Sequence, residues 1–199
     1  MVAKKQAPVS LGQKYFWVWV GLGVVVIILI AYLAGKGAGS NQAGGNTNGN
    51  GGTPAAVLPD IGQTPPDFTL TSLNGKTYTL SQLRGHPVWL NFWATWCVWC
   101  KRELPNVEAA HKALGNKIIL LGIDEGEGPN TVRSQLKNLG IDYTVLLDRN
   151  SSVGNEYGVR GIPTSIFINA QGKVTAVYPG AFLDEKSILQ DAQSAIAGS

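Results

Sequence analysis

Cysteine is scarce in this sequence, with only two among 199 residues. Two cysteines are too few for the framework of several disulfides that stabilises small secreted domains. They are also too few, by themselves, to supply the four ligands of a structural zinc site. Histidine is equally rare, with two residues. We therefore expect no bound metal and no cofactor, so that any chemistry of the cysteines is the chemistry of one pair.

Acidic residues are absent before residue 57, where four lysines are the only charged residues. The rest of the chain carries the remaining 12 basic residues and all 13 acidic ones, and is therefore close to neutral. A nucleic-acid-binding domain concentrates basic residues on its folded surface. The sequence thus predicts no nucleic-acid partner.

Charge is also absent from residues 15–35, an apolar stretch of 21 residues between Lys14 and Lys36. A helix of that length, rising about 1.5 Å per residue, spans about 30 Å, the hydrocarbon thickness of a bilayer. Three lysines precede the stretch and one follows it, so the positive-inside rule places residues 1–14 in the cytoplasm. We expect a single-pass anchor in the cell membrane with an extracytoplasmic C-terminal domain. A cleaved signal peptide is the alternative.

Large apolar side chains are absent from residues 36–56, which are mostly Gly, Asn, Ala, Ser, Thr and Gln. A segment of this composition cannot bury enough apolar surface to fold. We expect a flexible linker there, followed by one domain over residues 57–199. No cysteine lies near the end of the anchor, which excludes a cysteine-linked lipid.

Strand and helix patterns alternate within this domain. Asn74-Gly75 predicts an early β-hairpin, the apolar run 88–93 predicts a buried strand, and apolar residues at helical spacing predict a helix that ends near Leu114. Successive strand–helix–strand units imply a parallel sheet, to which a terminal hairpin adds an antiparallel edge. The predicted fold class is therefore α/β, with a central mixed β-sheet flanked by helices.

The cysteines, Cys97 and Cys100, lie where the buried strand ends and the helix begins. Two cysteines separated by two residues at such a junction are typical of a redox-active dithiol. Free N–H groups and the dipole at the helix start favour an anion, so Cys97 is the predicted catalytic nucleophile. Cys100, one turn later, can then close a redox disulfide with it. A static disulfide is the alternative, although so short a loop stabilises a fold little.

Residues 92–105 have the pattern Phe-Trp-Ala-Thr-Trp-Cys-x-x-Cys-x-x-Glu-x-Pro, and Gly-Ile-Pro-Thr follows at 161–164. Together these motifs resemble the thioredoxin superfamily, and the first resembles its membrane-tethered, extracytoplasmic TlpA/ResA branch. The resemblance implies a thioredoxin-like fold with an N-terminal β-hairpin and a cis peptide bond at Pro163, beside the dithiol. It also implies that the Ile162 backbone pairs with an extended substrate segment.

The resemblance also bears on Glu103. Thioredoxin carries a buried aspartate six residues before its first cysteine, where this chain has Asn91. A proton acceptor for Cys100 must then come from elsewhere, and the TlpA/ResA branch has a glutamate at the position of Glu103. We therefore expect a catalytic role for Glu103, since a partly buried carboxylate has a raised pKa and can move a proton. A solvated helix glutamate is the alternative.

We expect substrate contacts from Trp96 and Trp99, together with Ile162 and Pro163. Trp99 lies between the cysteines, where it either contacts the substrate or folds back on the domain. Residues 124–127, Asp-Glu-Gly-Glu, directly follow a predicted strand. They are expected to form a solvated acidic loop, and the alternative is that they line the substrate groove.

These observations predict a membrane-anchored thiol-disulfide oxidoreductase. As the resemblance implies, it would reduce disulfides in extracytoplasmic client proteins, with apocytochrome c as a candidate, and a membrane electron donor of the CcdA/DsbD type would reduce it again. A disulfide-forming oxidant would use the same residues. A copper-binding thioredoxin-like carrier is a different class, but it spaces its cysteines by three residues and adds a later histidine. No histidine follows His111 here.

Overall fold

The computed structural model describes residues 57–198. The expected cytoplasmic N-terminus, anchor and linker, residues 1–14, 15–35 and 36–56, lie outside the described residues. Within 57–198, none of the helices combines the length and the apolar character needed to cross a bilayer.

The described chain alternates strands and helices, as the sequence predicts. The strands are β1 Thr69–Thr71, β2 Thr77–Thr79, β3 Val88–Trp93, β4 Ile119–Glu125, β5 Thr144–Asp148, β6 Thr164–Ile168 and β7 Val174–Pro179. The helices are α1 Val98–Leu114, α2 Pro129–Leu139, α3 Ser152–Glu156 and α4 Glu185–Ala197, with short 3-10 turns at Leu80–Leu83 and Gly115–Lys117.

Five of these strands form one mixed sheet in the order β5-β4-β3-β6-β7. Strands β3, β4 and β5 run parallel, whereas β6 and β7 pair antiparallel to their neighbours. The short strands β1 and β2 form the predicted hairpin as a separate sheet, with Gly75 at a φ of 84° in its turn. A positive φ is accessible to glycine because it has no Cβ. The predicted α/β fold with a central mixed sheet is confirmed.

Both faces of the sheet are covered by other elements. Because side chains alternate between the two faces along each strand, a central strand buries side chains on both sides. On one face Trp89 and Trp93 pack with apolar side chains from α1, α2 and α4. On the other face Leu90 and Phe92 pack with α3 and the N-terminal hairpin. Burying a large apolar side chain contributes roughly 1.5–3 kcal/mol. This two-sided burial explains why β3 is apolar at nearly every position.

The central strand β3 ends between two segments that matter for the site. Its last residue, Trp93, is in register with Asp124 of β4, and Phe92 is in register with Thr164 of β6. The chain leaving β3 therefore meets the acidic loop after β4 on one side. On its other side it meets the proline turn before β6.

Candidate functional site

The two cysteines are joined by a disulfide at the junction of β3 and α1, with their Cα atoms 5.2 Å apart. Cys97 is the N-cap of α1, and its Sγ accepts a hydrogen bond from the Cys100 N–H at 3.0 Å. Cys97 retains 6% exposure, whereas Cys100 has none. A sulfur that accepts an N–H at a helix start is stabilised as a thiolate once the disulfide is reduced. The geometry thus distinguishes a cysteine that keeps slight exposure from one that is fully covered.

The proline turn lies against the sulfur of Cys97. The Ile162–Pro163 peptide bond is cis, which confirms the conformation that the resemblance implied. The Ile162 carbonyl oxygen lies 3.5 Å from Cys97 Sγ. Pro163 is buried and Ile162 is partly exposed, so backbone and side chain of the turn form one wall beside the disulfide. Their role in substrate binding stays a prediction.

Glu103 is fully buried one helical turn after Cys100. Its Oε1 accepts a hydrogen bond from Asn91 Nδ2 at 2.8 Å, and its Oε2 accepts one from the Phe182 N–H at 3.0 Å. Burial raises the pKa of Glu103 to about 7, although both hydrogen bonds lower it. Since residues three apart on a helix share a face, the carboxyl group lies on the same buried side as Cys100. The alternative of a solvated glutamate is wrong.

Sequence reasoning missed the residues that hold Glu103. Asn91 lies in the middle of β3, and its Nδ2 also donates to Ser165 Oγ at 3.2 Å. Trp89 Nε1 donates to the same hydroxyl at 2.9 Å. Asn91 could have been suspected, because one amide in a wholly apolar strand needs a polar partner. Phe182 has no comparable signal, since it contributes only a backbone N–H from the loop before α4.

An apolar groove lies beside the proline turn, lined by Trp99, Ile162, Pro163, Gly180, Ala181 and Leu183. Trp99 is 52% exposed and Leu183 68% exposed. The Arg102 guanidinium lies 4.7 Å from the centre of the Trp99 ring, which holds the indole at the groove wall. Trp96 is even more exposed but is not among the groove-lining residues. Leu183 lies in no recognisable sequence motif, and the sequence did not predict it as a groove residue.

The expectation of a solvated acidic loop at residues 124–127 is wrong for two of its members. Asp124 is fully buried at the end of β4. Glu127 is partly buried and binds Thr95, two residues before Cys97. These residues are not among those that line the apolar groove, and the alternative that they contact the substrate stays a prediction.

The comparisons with known proteins agree with this geometry. The Redoxin family model matches residues 60–193. Thiol-disulfide oxidoreductase ResA of Bacillus subtilis is 36% identical over 124 residues, which are 62% of this chain and 69% of that protein. A thiol:disulfide interchange protein of the thioredoxin family from Chlorobium tepidum superposes with a TM-score of 0.60 at 28% identity, covering 70% of this chain and 99% of the other. The pneumococcal exposed lipoprotein thioredoxin Etrx1 superposes with a TM-score of 0.54 at 35% identity, covering 64% and 98%.

Proposed function

Since this chain belongs to the Redoxin family and is a thiol-disulfide oxidoreductase, as its ResA relatives are named, we propose that it works as a reductant of disulfides in proteins outside the cytoplasm. Enzymes of this type act on disulfide-containing client proteins.

The observation that carries the proposal is the buried pair of Cys100 and Glu103. A resolving cysteine with no exposure cannot lose its proton to water, so it needs an internal acceptor. A carboxyl group whose pKa is raised to about 7 is half ionised near neutral pH, which suits it to accept and release a proton there. This pairing gives the second step of the exchange a base.

The charges around the disulfide support reduction rather than oxidation. Glu103 is buried three residues after Cys100 in the sequence. Glu127 accepts a hydrogen bond from Thr95, two residues before Cys97. Lys101 and Arg102, the nearest basic residues in the sequence, are exposed to solvent, where their charge is screened. Acidic neighbours disfavour a thiolate, and a less stabilised reduced form makes a dithiol a stronger reductant.

The exchange then runs in two balanced steps. The Cys97 thiolate attacks one sulfur of the client disulfide, which breaks the client S–S bond and releases the first client thiolate to be protonated by solvent. Glu103 accepts the proton of Cys100, and the Cys100 thiolate attacks Cys97 Sγ and breaks the mixed disulfide. The second client sulfur leaves as a thiolate that is protonated by solvent, and Glu103 then returns its proton to solvent. Two electrons pass to the client, and the product is the Cys97–Cys100 disulfide that the structure contains. A dithiol donor must reduce this disulfide again.

The proposed location is the outer face of the cell membrane, with residues 15–35 as the anchor and 36–56 as the linker. It is supported by the sequence pattern and by the similarity to Etrx1, an exposed lipoprotein of Streptococcus pneumoniae. We further propose an apocytochrome c as client and a membrane donor of the CcdA/DsbD type, both on the TlpA/ResA resemblance.

Trapping in cells tests the proposal. Cys100→Ala leaves Cys97 able to attack a client but removes the sulfur that releases it, so mixed disulfides should accumulate. We expect adducts in the membrane fraction that disappear on reduction and contain extracytoplasmic proteins. The Cys97→Ala/Cys100→Ala double variant is the control and should carry none. Absence of any Cys97-dependent adduct contradicts client reduction.

The reduction potential separates the two directions. Equilibration with glutathione should give a value near that of thioredoxin, about −270 mV, if the domain is a reductant. A value near that of the strong oxidant DsbA, about −120 mV, would favour the disulfide-forming alternative.

The groove predicts a separate effect on client binding. Trp99→Ala should raise the KM for a protein disulfide about fivefold to thirtyfold, because the exposed indole loses about 1–2 kcal/mol of apolar contact with the client. The rate with a small soluble disulfide, which does not fill the groove, should change less than twofold by the same reasoning. Steady-state kinetics with both substrates measures the contrast.

The matched control for Trp99→Ala is Ile61→Ala. Ile61 is 69% exposed and is not among the groove-lining residues. Its removal should leave both substrates unaffected. Equal loss with the protein and the small disulfide in Trp99→Ala would mean that the indole acts on the sulfur chemistry instead of on client binding.

A further inference from the structure

Glu127 makes two hydrogen bonds to a single residue of the dithiol loop. It lies between β4 and α2, and its carboxylate accepts both the N–H and the hydroxyl of Thr95, the latter at 2.6 Å. Thr95 lies two residues before Cys97, inside a turn closed by the Cys97 N–H donating to the Ala94 carbonyl at 3.2 Å. The acidic loop therefore holds the turn that leads into the nucleophile.

Asp124 supports Glu127 from the buried side. It has no exposure, and its Oδ1 accepts the Glu127 N–H at 3.3 Å. Burial, followed by the proximity of the Glu127 carboxyl group, raises the pKa of Asp124 to about 8, and Glu125 adds to the effect. Asp124 therefore keeps its proton at neutral pH. A protonated Asp124 carboxyl group adds no negative charge beside the Glu127 carboxylate, which accepts both donors of Thr95.

We propose that Glu127 is a positioning residue for the disulfide exchange, which acts through Thr95 to hold the turn that presents Cys97, with Asp124 as its buried support. The inference rests on the proposed function only in taking Cys97 as the nucleophile. The observation behind it is the contact between the loop after β3, which holds Thr95, and the loop after the parallel strand β4, which holds Glu127. The register of Trp93 with Asp124 brings those loops together.

Two consequences follow from this arrangement. Without the Glu127 carboxylate, the N–H and hydroxyl of Thr95 lose a common acceptor, and the turn before Cys97 is no longer held. A negative charge close to the start of α1 is lost as well, and its loss favours the thiolate at Cys97. Both effects act on the dithiol and neither requires a client protein.

The test uses Glu127→Gln, Thr95→Val, their combination, and Glu156→Gln as the matched control. Glu156 is an exposed carboxylate at the end of α3, so its variant removes the same charge elsewhere. The readouts are the equilibrium of the cysteine pair with glutathione and the pH midpoint of Cys97 alkylation in the reduced domain. Mass spectrometry identifies the alkylated sulfur, and thermal unfolding checks that each variant folds.

We expect Glu127→Gln to shift the glutathione equilibrium at least about threefold toward the dithiol, with a lower pH midpoint for alkylation. Thr95→Val, which removes only the hydroxyl donor, should give a smaller shift, and the two shifts should not add in the double variant. Glu156→Gln should match the wild type. A folded Glu127→Gln domain that also matches the wild type overturns the proposal, as do fully additive shifts. Because no client is present, a failure of client trapping would leave this result unchanged.

Discussion

Cys97→Ser is expected to lower the rate of protein disulfide reduction by at least about a thousandfold, the scale on which loss of a nucleophile acts. A serine hydroxyl is far too weakly acidic to form the anion that attacks a disulfide, and it cannot form a disulfide bond at all. The helix start that stabilises a thiolate at position 97 does not compensate for this. The measurement is the reduction of a disulfide-bonded model protein, with excess small dithiol to regenerate the domain.

Cys100→Ser is the matched control for this experiment. It also removes the Cys97–Cys100 disulfide, so any change in stability from the lost crosslink is shared by both variants. It keeps the nucleophile, however, and should form one equivalent of a mixed disulfide with the model protein before it stops. A Cys97→Ser domain that also forms the adduct, through Cys100, would reverse the assigned roles of the two sulfurs.

Glu103→Gln is expected to slow release of the client from the mixed disulfide about a hundredfold at pH 7, as is typical when a general base is removed. Only the ionised carboxylate can accept the Cys100 proton. In the wild type the release rate should therefore rise with pH through about 7, the pKa of Glu103, and then level off. The variant should lose that rise. Rapid mixing over a range of pH measures it.

The buried Glu103 carboxyl group also makes the stability of the domain depend on pH. The pKa of Glu103 is about 7 in the folded domain and 4.5 without the fold, so between these values the folded state binds a proton that the unfolded chain has released. The free energy of unfolding should therefore fall by up to about 3 kcal/mol as the pH rises from 4.5 to 7. The raised pKa of Asp124 adds a decline in the same direction up to about pH 8. The contribution of Glu103 is then the difference between wild type and variant in denaturant unfolding of the oxidised domain.

Glu108→Gln is the matched control for both measurements. Glu108 is the other buried glutamate of α1, and it pairs with Lys112 at 2.8 Å instead of facing Asn91. Its substitution should leave the pH dependence of client release intact. If Glu103→Gln and Glu108→Gln slow release equally, the role of Glu103 is structural. In Glu103→Gln itself one of the two donors, Asn91 or Phe182, loses its acceptor, so the variant also measures how much that hydrogen bond contributes.

Features that depend on a few neighbouring residues can be read from local sequence patterns. Strand β3 occupies the predicted range 88–93, because it is a short apolar run that begins directly after a proline. Asp184 caps α4 as a helix-starting aspartate should, with its carboxylate accepting the Ser187 N–H at 2.8 Å. These features depend on interactions within a few residues of the chain, which a sequence pattern displays directly.

The features of the site also differ in whether they depend on local sequence or on tertiary contacts. The sequence by itself determined that a dithiol lies at a strand–helix junction and that a glutamate follows one turn later, and it predicted which cysteine attacks, because all of these depend on spacing along one strand and one helix. Only the tertiary structure decided that Glu103 and Asp124 are buried, that Glu127 binds Thr95, and that Leu183 lines the same groove as Trp99. Burial and pKa depend on how much water the neighbouring elements exclude. Those neighbours come from distant parts of the chain, which meet only when the sheet is assembled.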